Sequence, residues 1–219
     1  MTDSAARSAP RRQRAERSDS VRNRQRLISV AQSVFAGEGL HAPLDRIAVA
    51  ANVGIATLYR HFPSRLQLWE TVLEEPLKAQ LTLLDDALAD PDAWRGVEQY
   101  IMSSCALEAE RNGYLNLMTT RYDGAPSLLA VRGQIQERIE ELFARAREHG
   151  AVRADFAVED LMFIMLSNSR IAQVTRSAAP RAWRRNAELF LDGIRAERAH
   201  PLQQPPMTAR QIRAAMRYV

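Results

Sequence analysis

A single cysteine, Cys105, stands among 219 residues, so no disulfide can close within the chain and no thiolate cluster can hold a metal. Aromatic residues make up only 6% of a chain that is 46% hydrophobic, a balance better suited to Leu- and Ala-rich helix packing than to a β-sandwich. No apolar run approaches the ~20 residues that cross a bilayer. The arginine-rich amino terminus has no apolar segment behind it of the kind a secretory signal carries. A cytoplasmic chain without membrane contact is the expectation. The four histidines, His41, His61, His149 and His200, lack metal-ligand spacing. Glycine-rich phosphate loops and nucleophile elbows are missing too. The adjacent carboxylates Glu74-Glu75, Asp85-Asp86 and Glu140-Glu141 would splay apart on helices. No catalytic residue, metal or cofactor is nominated, which argues against an enzyme built on a helical bundle.

What is present is charge in one place. The formal net is +4, yet residues 1–26 alone carry +5, with Arg7, Arg11, Arg12, Arg14, Arg17, Arg22, Arg24 and Arg26 set against Asp3, Glu16 and Asp19. The rest of the chain is close to neutral. A basic arm on a near-neutral body suits a polyanion; a solubilising tail is the alternative. Residues 1–19 lack apolar periodicity and are expected to be disordered without a partner.

Beyond the arm the apolar pattern is helical throughout, and no convincing period-2 strand appears. The first helix is expected from about Ser20 to Ala36, stopped by Gly37 and Gly39. Leu44, Ile47, Ala48 and Ala51 share one face of a short second helix, and a third runs from Ile55 to His61, closed by Pro63. Ser64 and Gln67 form a capping box opening a fourth helix that Pro76 should kink or split. Asp90-Pro91 reads as cap and first residue of the next. Further helices are expected over about 114–122, 127–149, 158–177 and 180–198. A proline-stiffened linker, 200–206, then leads to a short terminal helix capped by Thr208 and Gln211. The chain is all-α: an N-terminal three-helix domain over 20–66, a larger helical domain over 67–199, and the linker and terminal helix over 200–219.

Two short helices joined by Asn52-Val53-Gly54 form a helix-turn-helix. On the second, Leu58 and Phe62 face inward, while Thr57, Tyr59, Arg60 and His61 crowd hydrogen-bonding groups on the other side. A helix made only for packing would not need that many donors. The strings Ala31-Gln32-Ser33-Val34-Phe35-Ala36-Gly37-Glu38-Gly39-Leu40, Leu44-Asp45-Arg46-Ile47-Ala48 and Ala51 through Thr57-Leu58-Tyr59-Arg60-His61-Phe62-Pro63 to Arg65 resemble the TetR/AcrR family of bacterial regulators over residues 21–75. Asn52 stands at the usual turn glycine, Ala56 at a second common glycine, and Pro43 where a threonine commonly touches phosphate. The segments 183–185 and 201–208 resemble one subgroup.

The resemblance implies a homodimer that binds a double-stranded DNA operator through this motif. It implies a divergent second domain for a small-molecule ligand and for dimerisation. By it, Thr57, Tyr59 and His61 contact phosphates or base edges, Gly54 lets the backbone come close, and Arg65 clamps a phosphate. Ile55 could meet a thymine methyl. Ala56, Arg60, Arg46 and, from the first helix, Arg22 and Arg24 complete the expected DNA-facing set. A repressor released by its ligand is the reading; an activator, or a regulator that answers to no ligand, is the alternative. In the second domain Trp94, Met102, Cys105, Leu117, Met118, Tyr122, Met162, Phe163 and Asn168 mix adaptable, aromatic and polar groups as a pocket lining would, and equally as a packed core would. The apolar run 161–166, with Leu161 and Met165, and Ala182, Leu189, Phe190 and Ile194 on the next helix, are the expected subunit interface.

Overall fold

The computed structural model describes residues 9–111, 125–197 and 199–215. Its described elements are helical: α1 (Ala9–Glu38), α2 (Leu44–Ala50), α3 (Ile55–His61), α4 (Arg65–Ala89), α5 (Ala93–Arg111), α6 (Pro126–Glu148), a 3-10 turn (Val158–Asp160), α7 (Leu161–Thr175), α8 (Ala182–Ile194) and α9 (Ala209–Ala215). One isolated bridge, Val152 to Arg195, is the sole β-type pairing among the described residues. The expected helix over 114–122 lies outside them. The chain divides into two compact units at Val72–Leu73, inside α4.

In the first unit, Leu27, Ala31 and Phe35 recur at helical spacing on α1 and are wholly buried. They form a core with Leu40, Ile47, Leu58, Phe62 and Leu68, all sealed from solvent. Removing one such aromatic side chain costs about 3–5 kcal/mol. Gly39, at φ +83, ends α1 in the left-handed region, where its amide still reaches the Phe35 carbonyl at 2.9 Å. The first helix starts before the Ser20 expected of it. The helix begins at Ala9, because Gln13, Ala15, Glu16 and the arginines are good helix formers and Pro10 sits in the first turn.

Helix α4 continues through Pro76, so of the kink or split expected there the split does not occur. Ser64 Oγ accepts the Gln67 amide at 3.2 Å, as the capping pattern predicts. At α5 the cap falls on Asp92 rather than Asp90. Asp92 Oδ1 takes the amides of Trp94 and Arg95 at 2.9 and 3.0 Å. Asp90 instead accepts the Asp92 amide and grips Arg95 at 2.6 Å, so Pro91 stays outside the helix.

The second unit packs α5 against α6, α7 and α8, and α7 against α8. Its core includes Val97, Ile101, Cys105, Leu142, Phe143, Phe156, Ile164, Trp183 and Leu191. Arg153, nearly buried, holds Asp155 at 2.6 Å and the Gly193 carbonyl at 3.2 Å. It also bonds the His200 carbonyl, and Asp155 takes the Leu202 amide at 2.9 Å, so the linker is tied at its start. The Arg153 guanidinium and the Leu202 amide hold the Asp155 carboxyl down at about 2. Thr208 and Gln211 cap α9 reciprocally, at 2.8 and 3.3 Å, as the sequence pattern predicts. No described helix is long and apolar enough to cross a membrane.

Candidate nucleic-acid interface

The turn between α2 and α3 is held by its backbone. The Ala51 amide reaches the Ile47 carbonyl at 2.9 Å, Asn52 reaches Val49 at 3.0 Å and Val53 reaches Ala48 at 3.0 Å. Asn52 sits at φ +53, a left-handed conformation that asparagine tolerates better than most residues, so it serves where a glycine is common. Gly54 follows at φ −72, a conformation open to any residue, and a Cβ there would meet nothing within 4 Å. The chain's own fold therefore does not call for glycine at this position.

Helix α3 is anchored from one side only. Leu58 and Phe62 are buried, whereas Ile55 is 37% and Tyr59 49% exposed. Ala56 and Arg60 are exposed as well, and Thr57 and His61 half-buried. The structure thus brings Ile55, Ala56, Thr57, Tyr59, Arg60 and His61 together on one short helix, with the two apolar anchors turned inward. Arg60 makes no ion pair among the described residues.

Four arginines from outside α3 divide. Arg24 reaches the end of the helix from α1, its guanidinium 4.9 Å from the centre of the Phe62 ring. Arg22 pairs with Asp19, and Arg46 with Glu38 at 2.8 Å, both on the surface. Arg65, expected as a phosphate clamp, has a further duty that sequence could not reveal. Its Nη1 donates to the carbonyls of Leu40 and Ala42 at 3.0 and 2.7 Å, and Trp69 Nε1 adds a bond to Leu40 at 2.9 Å. The first turn of α4 thereby braces the loop that delivers α2.

His61 is the titratable group of the site. Burial of its ring, then the charges of Arg60 and Arg24, lower its pKa from the usual 6.5. Its Nε2 is enclosed without a hydrogen-bond partner among the described residues. Near neutral pH the ring is therefore uncharged.

The described members of the expected pocket set differ in burial. Cys105 and Asn168 are fully buried, joined by a 3.3 Å bond from Asn168 Nδ2 to the Cys105 carbonyl. Burial and the nearby Glu108 push the Cys105 thiol up to about 12, a packing residue rather than a reactive one. Trp94 lies under the Arg195 guanidinium at 3.9 Å and borders an open depression of about 590 Å³ beside His149. Met102 and Met162 are half-buried, whereas Phe163 is 52% exposed. Leu117, Met118 and Tyr122 lie outside the described residues.

The residues expected at a subunit interface differ in their burial within the chain. Leu161 and Ile194 are buried in their own unit's core, and Met165 and Phe190 pack against that core. Ala182 is half-buried, and Leu189 alone of the six is strongly exposed, at 62%. The exposed apolar groups on α7 are Phe163, inside the run 161–166 expected at an interface, and Val174, outside it. They share a stripe with Ser167 and Arg170 at i, i+4, i+7 and i+11, a spacing that could have found them. Asn186 Nδ2 on α8 bonds Ser167 Oγ at 3.1 Å, so this stripe lies beside the exposed face of α8.

Comparisons with known proteins agree with this arrangement. Residues 27–72 match the family described as bacterial regulatory proteins, tetR family. Residues 94–196 match the SbtR-like transcriptional regulator C-terminal domain. An HTH-type transcriptional regulator of Staphylococcus aureus, SAB2452, is 31% identical over 91 residues, a match that spans 39% of this chain and 49% of that one. The nucleoid occlusion factor SlmA of Shewanella halifaxensis is 29% identical over 147 residues, covering 59% of this chain and 71% of the relative. In fold, the ketosteroid transcriptional regulator KstR2 of Mycobacterium tuberculosis superposes with a TM-score of 0.58 at 20% identity, over 78% of this chain and 94% of that one. With a helix-turn-helix at one end and a regulator's helical domain at the other, the chain belongs to the TetR family of bacterial transcriptional regulators.

Proposed function

We propose that the protein is a homodimeric repressor that holds a pseudo-palindromic operator and is released by a small molecule. The observation that carries the DNA contact is the one-sided anchoring of α3. Leu58 and Phe62 fix the helix, which leaves Ile55, Thr57, Tyr59, Arg60 and His61 to base edges and phosphates of a major groove. Gly54, which the fold itself does not need, gives the sugar-phosphate chain room at the helix start. Arg24, Arg22 and Arg46 add charge around the groove, and the basic amino-terminal residues extend it. Arg65 positions α2 through the loop and can still offer its remaining N–H groups to a phosphate.

Dimerisation is assigned to the exposed face of α7 and α8, with Phe163, Val174 and Leu189 as its apolar centre. Two heads on one dimer would reach major grooves about 34 Å apart. A ligand in the second domain would release the DNA only by binding better to a conformation with another head spacing. A regulator that answers to no small molecule is a second reading.

Footprinting of the purified chain on the DNA upstream of its own gene tests the reading. A protected two-fold symmetric site supports it, and uniform cleavage at all protein concentrations contradicts it.

A further inference from the structure

Three helices of the second unit turn a buried stripe to its core, and a polar residue interrupts each stripe. Gln80 lies between Leu77 and Leu84 on α4, Ser104 follows Ile101 on α5, and Asn168 lies between Ile164 and Ala172 on α7. Gln80 is 9%, Ser104 2% and Asn168 0% exposed. The interruptions fall at one level. Helices α4 and α5, joined by residues 90–92 alone, meet where a Cβ on Gly96 would lie 2.4 Å from the Ala87 carbonyl oxygen. Two turns back along α4 and two turns on along α5 bring Gln80 level with Ser104 in such an antiparallel pair. Asn168 Nδ2 donates to the Cys105 carbonyl at 3.3 Å, which sets α7 at the same height.

Each of the three carries a sealed atom that finds no hydrogen-bond partner among the described residues: Gln80 Oε1, Ser104 Oγ and Asn168 Oδ1. Ser104 Oγ lies beside the Tyr100 phenol but completes no bond of good geometry with it. Unmet polar atoms in a core are rare and costly, and three in one layer call for an outside partner. Its chemistry follows from what is free. Asn168 is committed by its bond to Cys105, because turning the amide would set its oxygen against that carbonyl, so it offers an acceptor. Gln80 offers a second, and the Ser104 hydroxyl serves either way. The Glu108 carboxyl, one turn beyond Ser104, already takes Ser169 Oγ at 2.6 Å.

We propose that this layer binds an otherwise apolar molecule whose polar end donates hydrogen bonds, a primary amide or an alcohol, and that it rejects carboxylates and phosphates. An anion would bring acceptors to acceptors in a site without water. The layer is closed, so the molecule enters only when α5 and α7 part, and it favours the parted state. That supplies the difference in affinity between two states on which release by a ligand depends. The inference rests on the ligand-released reading above and names the class of ligand.

The test uses the full chain and three probes with one tail, octanamide, octan-1-ol and octanoate, titrated by calorimetry at neutral pH. Octanamide and octan-1-ol should bind at least about tenfold more tightly than octanoate. Gln80→Leu and Asn168→Leu each remove an acceptor and keep the bulk. Each should weaken octanamide about 3- to 10-fold, the range of a lost hydrogen bond, and leave octanoate unchanged, with helical circular dichroism retained. Should either fail to fold, Ser104→Ala, which removes one hydroxyl, should weaken octan-1-ol over the same range.

Octanoate binding as tightly as octanamide, no binding by any of the three, or affinities indifferent to every folded variant would overturn the proposal. Release by a ligand fails separately: octanamide bound at this layer without loosening the protein from its footprinted site would overturn release and leave the site standing.

Discussion

The guanidinium of Arg24, on α1, lies 4.9 Å from the centre of the Phe62 ring at the end of α3. A cation over an aromatic face at an exposed site is worth ~0.5–1 kcal/mol. Arg24 joins the long helix to the reading helix and places a positive charge beside His61, whose pKa it helps to lower.

A pH dependence follows. In the free protein His61 titrates below its usual 6.5, so the stability its neutral ring confers is complete above that pH and is lost as pH falls through the lowered value. An approaching phosphate acts in the opposite sense and favours the charged ring. DNA binding should therefore take up a proton at His61, and affinity should rise as pH drops from about 8 to 6, by at most about tenfold per pH unit. His61→Gln should flatten the profile, and Arg24→Met should raise the His61 pKa in the free chain, read by NMR titration. A profile that stays steep in His61→Gln would place the proton elsewhere.

The hydroxyls of α3 give a cleaner contact test. Thr57→Ala and Tyr59→Phe each remove a hydroxyl from a side chain outside the sealed core, so thermal stability should hardly change. Operator binding should weaken by about 1–2 kcal/mol per variant, the scale of a lost bond to a charged group. Isothermal titration with the footprinted site checks this, and unchanged affinity in both would remove these hydroxyls from the interface.

Arg65 separates bracing from phosphate contact. Arg65→Met leaves the carbonyls of Leu40 and Ala42 without its donor and should lower the stability of the first unit by about 1–3 kcal/mol with no DNA present. Hydrogen exchange over residues 39–51 should accelerate. If stability holds and DNA affinity alone falls, Arg65 is a phosphate ligand and not a brace.

The subunit face offers two independent sites. Phe163→Glu and Leu189→Glu alter exposed side chains, so the isolated subunit should fold. Each buries an unpaired carboxylate in a dry interface, at a cost of several kcal/mol, and should shift sedimentation from dimer to monomer. Tight operator binding should vanish with the dimer, because two linked half-site contacts become one. A variant that stays dimeric would move the interface off that residue.

Some of this was legible from the chain alone. Helix α3 occupies the expected residues, Ile55–His61, because Gly54 and Phe62-Pro63 punctuate it and Leu58 and Phe62 fix its inward side. Asn52 takes the left-handed turn its residue type permits. The early start of α1 was hidden because charge density reads as disorder although arginine, glutamine and alanine favour helix. The run 161–166 is apolar on every side, so it could not say that Leu161 and Ile164 turn inward while Phe163 turns out. The bracing duty of Arg65 depends on carbonyls 23 and 25 residues away, and no local pattern marks such partners.

The central claim, that α3 reads a specific DNA sequence for a dimer, is tested most directly by DNase I footprinting on the DNA upstream of the protein's own gene, with wild type and Tyr59→Phe compared at one salt concentration. The account predicts a two-fold symmetric protected site, with half-sites about one helical turn apart, that needs more Tyr59→Phe than wild type to fill. Protection without symmetry, or identical titrations for the two proteins, would contradict it.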